Sequence, residues 1–406
     1  MLNRFKMALP AALLLLPALS FAGWVSQNSG TTNGLWGVHF PVNAQTGYVV
    51  GGDPNSSSNS ILKTTDSGAN WVNQNPGVTD YLWNVHFPVD DQTGYVLGGW
   101  NNGTLLKTTN GGATWVSQAL GITQTPWCVY FPVDVQTGYI VGDGGTILKT
   151  TDGGATWISQ ASGTTTTLSV VHFPLDAQTG YIAGWGHTLL KTTNGGGNWD
   201  TLSPGTTNDL FSVYFVDAQT GYVTGDRGTI LKTTNGGASW GSQSSGTNAL
   251  LWSVHFPVDA QTGYIVGGYP RTILKTTDGG ATWVSQTGAT NHLTWVHFPV
   301  NPQTGYAVGF GGTILKTTDG GTWVEEERKV VGGQSPEVRL EATPNPFLSF
   351  ATIPGHEAER FTLYDVSGCK AGVFRGDRIG YGLSPGVYFL RPENGAAKSL
   401  RIVKIR

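Results

Sequence analysis

One unit recurs seven times along this chain of 406 residues, and a chain built that way must stack its copies or close them into a ring. Gln-Thr-Gly-Tyr ends at Tyr48, Tyr95, Tyr139, Tyr181, Tyr222, Tyr264 and Tyr306. Leu-Lys-Thr-Thr follows each time, with Lys63, Lys107, Lys149, Lys191, Lys232, Lys275 and Lys316. A Trp then closes the unit at Trp71, Trp115, Trp157, Trp199, Trp240, Trp283 and Trp323, at spacings of 44, 42, 42, 41, 43 and 40 residues.

Each unit divides into four short strands. Leu-Trp-x-Val-His-Phe alternates, which predicts Trp, Val and Phe on one face. Pro-Val-Asp-Ala-Gln is a turn, and Thr-Gly-Tyr-Ile-Val-Gly is β-branched and aromatic between glycines. Thr-Ile-Leu-Lys-Thr-Thr is a third strand, Asp-Gly-Gly a hairpin signal, and Trp-Val-Ser-Gln a fourth strand. Four antiparallel strands per unit of this length is the propeller period. A blade cannot bury both faces alone, so seven units predict an all-β, seven-bladed β-propeller over residues 23–324. The chain enters with Trp24-Val25-Ser26-Gln27, a fourth strand without its own blade, and leaves with Trp323-Val324. One of these two segments is expected to complete the seventh blade, so that no sheet edge stays open. The spacing does not choose between them.

Composition agrees. Gly accounts for 59 residues and charged residues for only 12%, which argues against long helices, and 15 Trp argue against disorder. A net charge of −3 offers no electrostatic footprint for nucleic acid.

The turn before each closing Trp, first seen as Thr64-Thr65-Asp66-Ser67-Gly68-Ala69-Asn70-Trp71, resembles the Asp-box (BNR repeat) of sialidase-type and sortilin-type propellers. The whole unit resembles the repeats of the photosystem II assembly-factor propellers and their bacterial relatives. That resemblance implies a binding or assembly scaffold with a protein partner. It also implies a structural role for Asp66, Asn110, Asp152, Asn194, Asn235, Asp278 and Asp319. An Asp or Asn at this place accepts backbone N–H bonds within the turn, and the following Gly takes the left-handed conformation. The arginine-rich surface of the photosystem relatives is missing here: between Trp24 and Val324 stand only Arg227 and Arg271.

The same count removes a sialidase, whose arginine triad cannot be assembled, and the propeller repeats contain no Glu. No catalytic residue, metal or cofactor is assigned, and the protein is expected not to be an enzyme. The competing expectation is a glycoside hydrolase or lyase that uses loop carboxylates such as Asp143 and Asp226. His39, His86, His172, His255 and His297 hold one position of the innermost strand, with Tyr130 and Tyr214 in the other two repeats. A metal site would not tolerate Tyr in this way, so these are expected to pack against the next blade. Cys128, at a position otherwise held by small residues, is expected to be buried and inert. The seven lysines are expected to form a solvated stripe.

Binding is expected where the sequence leaves its own consensus. The loops between second and third strands carry Trp100, Asp143, Trp185, His187, Asp226, Arg227, Tyr269, Arg271 and Phe310. The loops entering the first strand carry Asp80, Tyr81, Gln124, Asp209 and His292. Aromatic and Arg side chains among polar groups suit a protein or glycan partner.

Residues 1–22 are expected to be a signal peptide: Arg4 and Lys6 precede an apolar run, and Ser20-Phe21-Ala22 suits cleavage. The mature chain is then secreted or held at the cell surface via the periplasm, with no membrane span. Composition shifts at Glu325. Residues 325–335 are expected to form a linker and residues 336–406 a small Ig-like β-sandwich. The order of Pro344-Asn345-Pro346-Phe347, Phe361-Thr-Leu-Tyr-Asp-Val-Ser-Gly368 and Gly382-Leu-Ser-Pro-Gly-Val-Tyr-Phe-Leu390 resembles the C-terminal sorting domain of type IX secretion cargo. That resemblance implies secretion machinery as a second partner.

Overall fold

Each repeat folds on itself because its turns are short and its second and third strands are apolar on both sides. In the computed structural model, the first repeat forms an innermost strand Gly34–His39, a second Gly47–Asp53, a third Ser58–Thr64 and an outermost Val72–Asn73. They pair antiparallel in sequence order, as do those of the five repeats that follow, and the last repeat takes its outermost strand from the N-terminus, giving seven four-stranded sheets. The structure describes residues 23–53 and 58–321, and in the C-terminal part 358, 360–365, 370–375, 377–379, 383–384, 386–392 and 400–404. The expected signal peptide and linker lie outside the described residues.

The ring is closed by the N-terminal segment. Val25–Gln27 pairs antiparallel with Thr313–Thr317, with Val25 opposite Lys316 and Gln27 opposite Ile314. Trp24 takes the place of a closing Trp, edge-on to Phe298 at 5.8 Å. The last blade also meets the first directly: Thr294 Oγ1 donates to the Leu35 carbonyl at 2.8 Å. Trp323-Val324, the alternative closure, lies outside the described residues.

Neighbouring blades are joined by one aromatic device used seven times. The Tyr of Gln-Thr-Gly-Tyr is fully buried and stacks on the Phe of the next blade's innermost strand, with centroids 3.7–4.3 Å apart. That Phe receives the edge of its own blade's closing Trp, at 5.8–6.2 Å. Rings in stacked and edge-on contact exceed the worth of their buried area alone. The Gly before each Tyr is dictated by the same packing: a Cβ on Gly94 would stand 2.4 Å from the Phe87 ring.

Two expectations need correction. Trp36 does not share a face with Val38 and Phe40. The innermost strand carries a bulge between Leu35 and Gly37, so the buried set is Leu35, Val38 and Phe40, while Trp36 is only half-buried. All seven innermost strands have the bulge at this place, which shifts the alternation by one residue. The lysines, secondly, are not a solvated stripe. Each Nζ donates to a carbonyl in the turn of the following blade at 2.6–2.7 Å, from Lys63 on Gly111 round to Lys316 on Ser67. Each also lies 5.4–5.7 Å from the ring centroid of its own blade's Tyr.

The chain divides into two compact units, Met1–Glu325 and Glu326–Arg406. In the second, Arg360–Asp365, Lys370–Arg375, Gly386–Pro392 and Leu400–Lys404 form one antiparallel sheet with Arg360–Asp365 and Gly386–Pro392 in the middle. The segment 336–357, which would help to supply the second layer of a sandwich, lies outside the described residues. Among the described residues, no helix is long and apolar enough to cross a membrane.

Candidate binding face

The two faces of the propeller differ in kind. One bears the turns that precede each closing Trp, and these are tied by the same bonds in almost every blade. Asp66 Oδ1 accepts the backbone N–H of Asn70 at 2.9 Å, and Asn110, Asp152, Asn194, Asn235 and Asp278 do the same four residues on, each at 2.9 Å. Asp319 accepts from Gly321, at 3.0 Å. Hydrogen bonds from the side chain and backbone of Thr156 hold the Asp152 carboxyl down at about 2, and those of Thr282 do the same to Asp278. These groups are engaged inside their own turns.

Around the axis the innermost strands place a closed circle of seven rings. His39, His86, Tyr130, His172, Tyr214, His255 and His297 touch in sequence order, with centroids 4.8–5.4 Å apart. Most bond across to the next blade: His86 Nε2–H donates to the Phe131 carbonyl at 3.1 Å and His172 Nε2–H to that of Phe215 at 3.2 Å. His39 Nδ1 accepts the N–H of Phe87 at 3.1 Å. Burial lowers His86, His172 and His297 to about 4 and carries His39 and His255 well below their ordinary value. The expected packing against the next blade is what the circle does. Among the described residues, no group of three or more His, Cys, Asp or Glu side chains is arranged to hold a metal ion. Cys128 is buried, and burial pushes its thiol up to about 12, far from a nucleophile's range.

The opposite face carries the loops that depart from the consensus, and there the bulge has its consequence. It turns the residue that follows Leu35 and its equivalents away from the core set, and that residue is Trp36, Trp83, Trp127, Phe211 and Trp252 in five blades and Ser169 and Thr294 in two. These bulge aromatics were missed by the alternation argument, which assigned them to the core. Their signal was the position itself, aromatic in some repeats and a small hydroxyl in others.

Together with the loop residues they build one continuous arc. Tyr269 touches His292 at 3.7 Å, His292 touches Phe310 at 5.6 Å, and Phe310 touches Trp36 at 5.1 Å. Trp36 leads to Tyr81 at 6.2 Å, Tyr81 to Trp83 at 5.1 Å, and Trp83 to both Trp100 and Trp127 at 5.0 Å. Trp127 Nε1–H donates to Asp143 Oδ1 at 2.8 Å, as does Thr167 Oγ1–H. The arc runs over blades six, seven, one, two and three. Tyr269, Trp100 and Phe310 stay 63%, 55% and 36% exposed although each is held by its neighbours. Arg271 stands beside Tyr269, with Nη1 donating to the Thr290 carbonyl at 2.6 Å.

Trp185, His187, Asp209, Asp226 and Arg227 lie apart on blades four and five. Trp185 and His187 flank Gly186, whose N–H donates to Asp209 Oδ1 at 2.7 Å. Arg227 pairs with Asp226 at 3.4 Å. Two of these residues hold left-handed backbone that other blades give to glycine. Arg227 has φ +52°, where Gly144 and Gly311 stand at +64° and +65°; His187 has φ +56°, where Gly145 and Gly312 stand at +71° and +67°. Strain of this kind persists where surrounding structure imposes it, and it concentrates in functional loops.

Residues 113–206 and 198–294 match the model of a family described as photosynthesis system II assembly factor YCF48. No curated protein matches the chain. Among solved structures, YCF48 from Cyanidioschyzon merolae is similar at 20% identity and a TM-score of 0.60, over 73% of this chain and 99% of that one. A YCF48 bound to D1 peptide is similar at 18% identity and a TM-score of 0.60, over 74% and 99%. A GH74 xyloglucanase from Xanthomonas campestris is similar at 15% identity and a TM-score of 0.61, over 75% of this chain. The chain spans only 55% of that enzyme. At these identities the likeness establishes the fold.

Proposed function

We propose that this chain is a non-enzymatic interaction scaffold that takes a protein or peptide partner on its loop face. One observation carries the reading. A continuous arc of aromatic side chains crosses five blades on one face, and three of its members remain exposed though fixed in place. Aromatic anchors already rigid before binding lose little entropy on binding and dominate interface energies. Two further points favour it. The matched family model is that of an assembly factor, and one propeller of similar fold, a YCF48, is bound to a D1 peptide. The turns of the other face are read as Asp-boxes with a structural role.

The second reading, a glycoside hydrolase, is favoured by the xyloglucanase neighbour and by Asp143 and Asp226 at equivalent loop positions. Against it, Asp143 Oδ1 accepts from Trp127 and Thr167, and Asp226 is paired with Arg227. Blade four stands between the two carboxylates, where hydrolysis needs a pair astride one bond.

The setting proposed is secretion to the cell surface. Residues 1–22 act as a signal peptide, and residues 336–406 fold as an Ig-like sandwich read by the secretion machinery. Affinity capture from the native cell surface, with the full chain and with Trp100→Ala/Phe310→Ala, tests the scaffold. A partner held by the first and lost from the second is expected. Turnover of xyloglucan that vanishes with Asp226→Asn overturns it. Normal surface delivery of a chain lacking residues 336–406 removes the sorting role.

A further inference from the structure

The geometry points to the Trp100 end of the arc as a receptor for cationic side chains, so that the partner segment is a basic peptide. This deepens the scaffold reading and rests on it. Three tryptophans converge there. The Trp83 and Trp100 rings meet at 5.0 Å and 78°, and Trp100 and Trp127 at 5.9 Å and 89°. Each pair meets edge to face, which leaves the outward side of Trp100 as the surface on which an ammonium or guanidinium group can lie. Trp100 offers the open face, and Trp83 behind it is only 5% exposed with an indole N–H that finds no acceptor.

Carboxylates flank the same corner. Asp143 spends only Oδ1 on Trp127 and Thr167, leaving Oδ2 without a bond. Asp80, next to Tyr81, accepts from Thr104 through Oδ2. No cation of the propeller answers them. The lysines are all tied to turn carbonyls of the opposite face. Arg227 lies on blade five and Arg271 on blade six, each with a partner of its own. The corner is therefore aromatic and anionic with no internal counter-charge, and a Lys- or Arg-bearing segment complements both properties. An acidic segment would meet Asp80 and Asp143 in a place where like charges repel.

The test is a tryptophan-fluorescence titration of the full chain with three probes: a Lys-Ala repeat heptapeptide, its Glu-Ala counterpart, and a xyloglucan oligosaccharide. The Lys peptide is expected to quench and to bind more weakly as ionic strength rises. Trp100→Ala and Asp143→Asn should each weaken it about three- to fivefold. Asparagine keeps the Oδ1 acceptor for Trp127 and Thr167, so the second variant removes charge without removing support. Ile158→Ala, exposed on the outermost strand of blade three, should leave the affinity unchanged. Equal or tighter binding of the Glu peptide overturns the charge assignment; if that binding also falls with Trp100→Ala, the protein-binding face survives and only its preference was misjudged. Binding of the oligosaccharide alone overturns both. A Lys peptide that does not bind, or binds alike to Trp100→Ala and Asp143→Asn, overturns the inference.

Discussion

Lys63 Nζ donates to the carbonyl of Gly111, in the next blade, at 2.7 Å. The same carbonyl accepts the hydroxyl of Tyr48 at 2.9 Å. Both donors come from one blade and the acceptor from the following one, so the pair fastens adjacent blades near the turn-bearing face. The tie recurs round the ring, and the seventh copy, from Lys316 and Tyr306 to Ser67, joins the last blade to the first.

Replacing one such lysine should loosen a single blade contact. Lys149→Met keeps the aliphatic stem but removes a charge-assisted bond to Gly195 and the cation beside Tyr139. Tyr139 still serves the carbonyl, at 3.0 Å. A loss of about 1–2 kcal/mol is expected, read as a lower urea midpoint at unchanged slope. An unchanged midpoint returns the lysines to the solvent-facing role first expected for them.

Removing the closing aromatic should cost more. Trp24 is buried against Phe298 and Tyr264 and anchors the strand that completes blade seven. Trp24→Ala should destabilise by about 3–5 kcal/mol and free the Val25–Gln27 strand to exchange its amide hydrogens. Full amide protection of Gln27 in that variant contradicts the closure described.

Acid should undo the axial circle before it touches the turns. Folding holds the histidines neutral, with His86, His172 and His297 at about 4, whereas unfolded imidazoles take a proton near 6.5. Between those values the unfolded state binds more protons, so stability falls as pH falls, by up to about 1.4 kcal/mol per pH unit for each such histidine. The loss from these three levels off below about 4, where their folded imidazoles charge as well. Asp152 and Asp278, held at about 2, lose their contribution only below the ordinary Asp value, outside this window. Melting temperatures from pH 7 to 4 should show the decline, with a shallower slope for His172→Tyr, a residue the circle already uses at Tyr130 and Tyr214. A flat profile counts against buried neutral imidazoles.

Relieving loop strain should separate stability from binding. Arg227→Gly gives a left-handed backbone the residue that other blades use there. The gain, strain relieved less the extra freedom of the unfolded chain, is about 0.5–1 kcal/mol. Thermal melts check it, and a lower melting temperature would mean that the Asp226–Arg227 pair outweighs the strain.

Much of this was legible in one dimension. Strand count, strand order and blade number follow from a local pattern repeated seven times, because six of the seven blades pair only residues close in the chain. The turn role of Asp66 and its equivalents was also local, since their acceptors bond four residues on. The choice of loop face followed from which turns vary.

What lay beyond the sequence were contacts between blades. Lys63 and Gly111 are 48 residues apart, and nothing in Leu-Lys-Thr-Thr says that the ammonium turns toward the neighbouring turn. The bulge at Trp36 hides inside an ordinary alternation and shows only when Leu35 and Gly37 are seen against their partners on the second strand. Trp24 and Trp323 carried equal claims to the last blade, and ring closure alone favoured the N-terminal one. By itself, then, the sequence determined seven blades and the face on which they differ, since both are matters of local hydrogen bonding and local variation. Only the tertiary structure decided that Trp36, Trp83 and Trp127 join the loop aromatics in one arc, because their approach depends on closing the ring, and closure relates residues no repeat contains together.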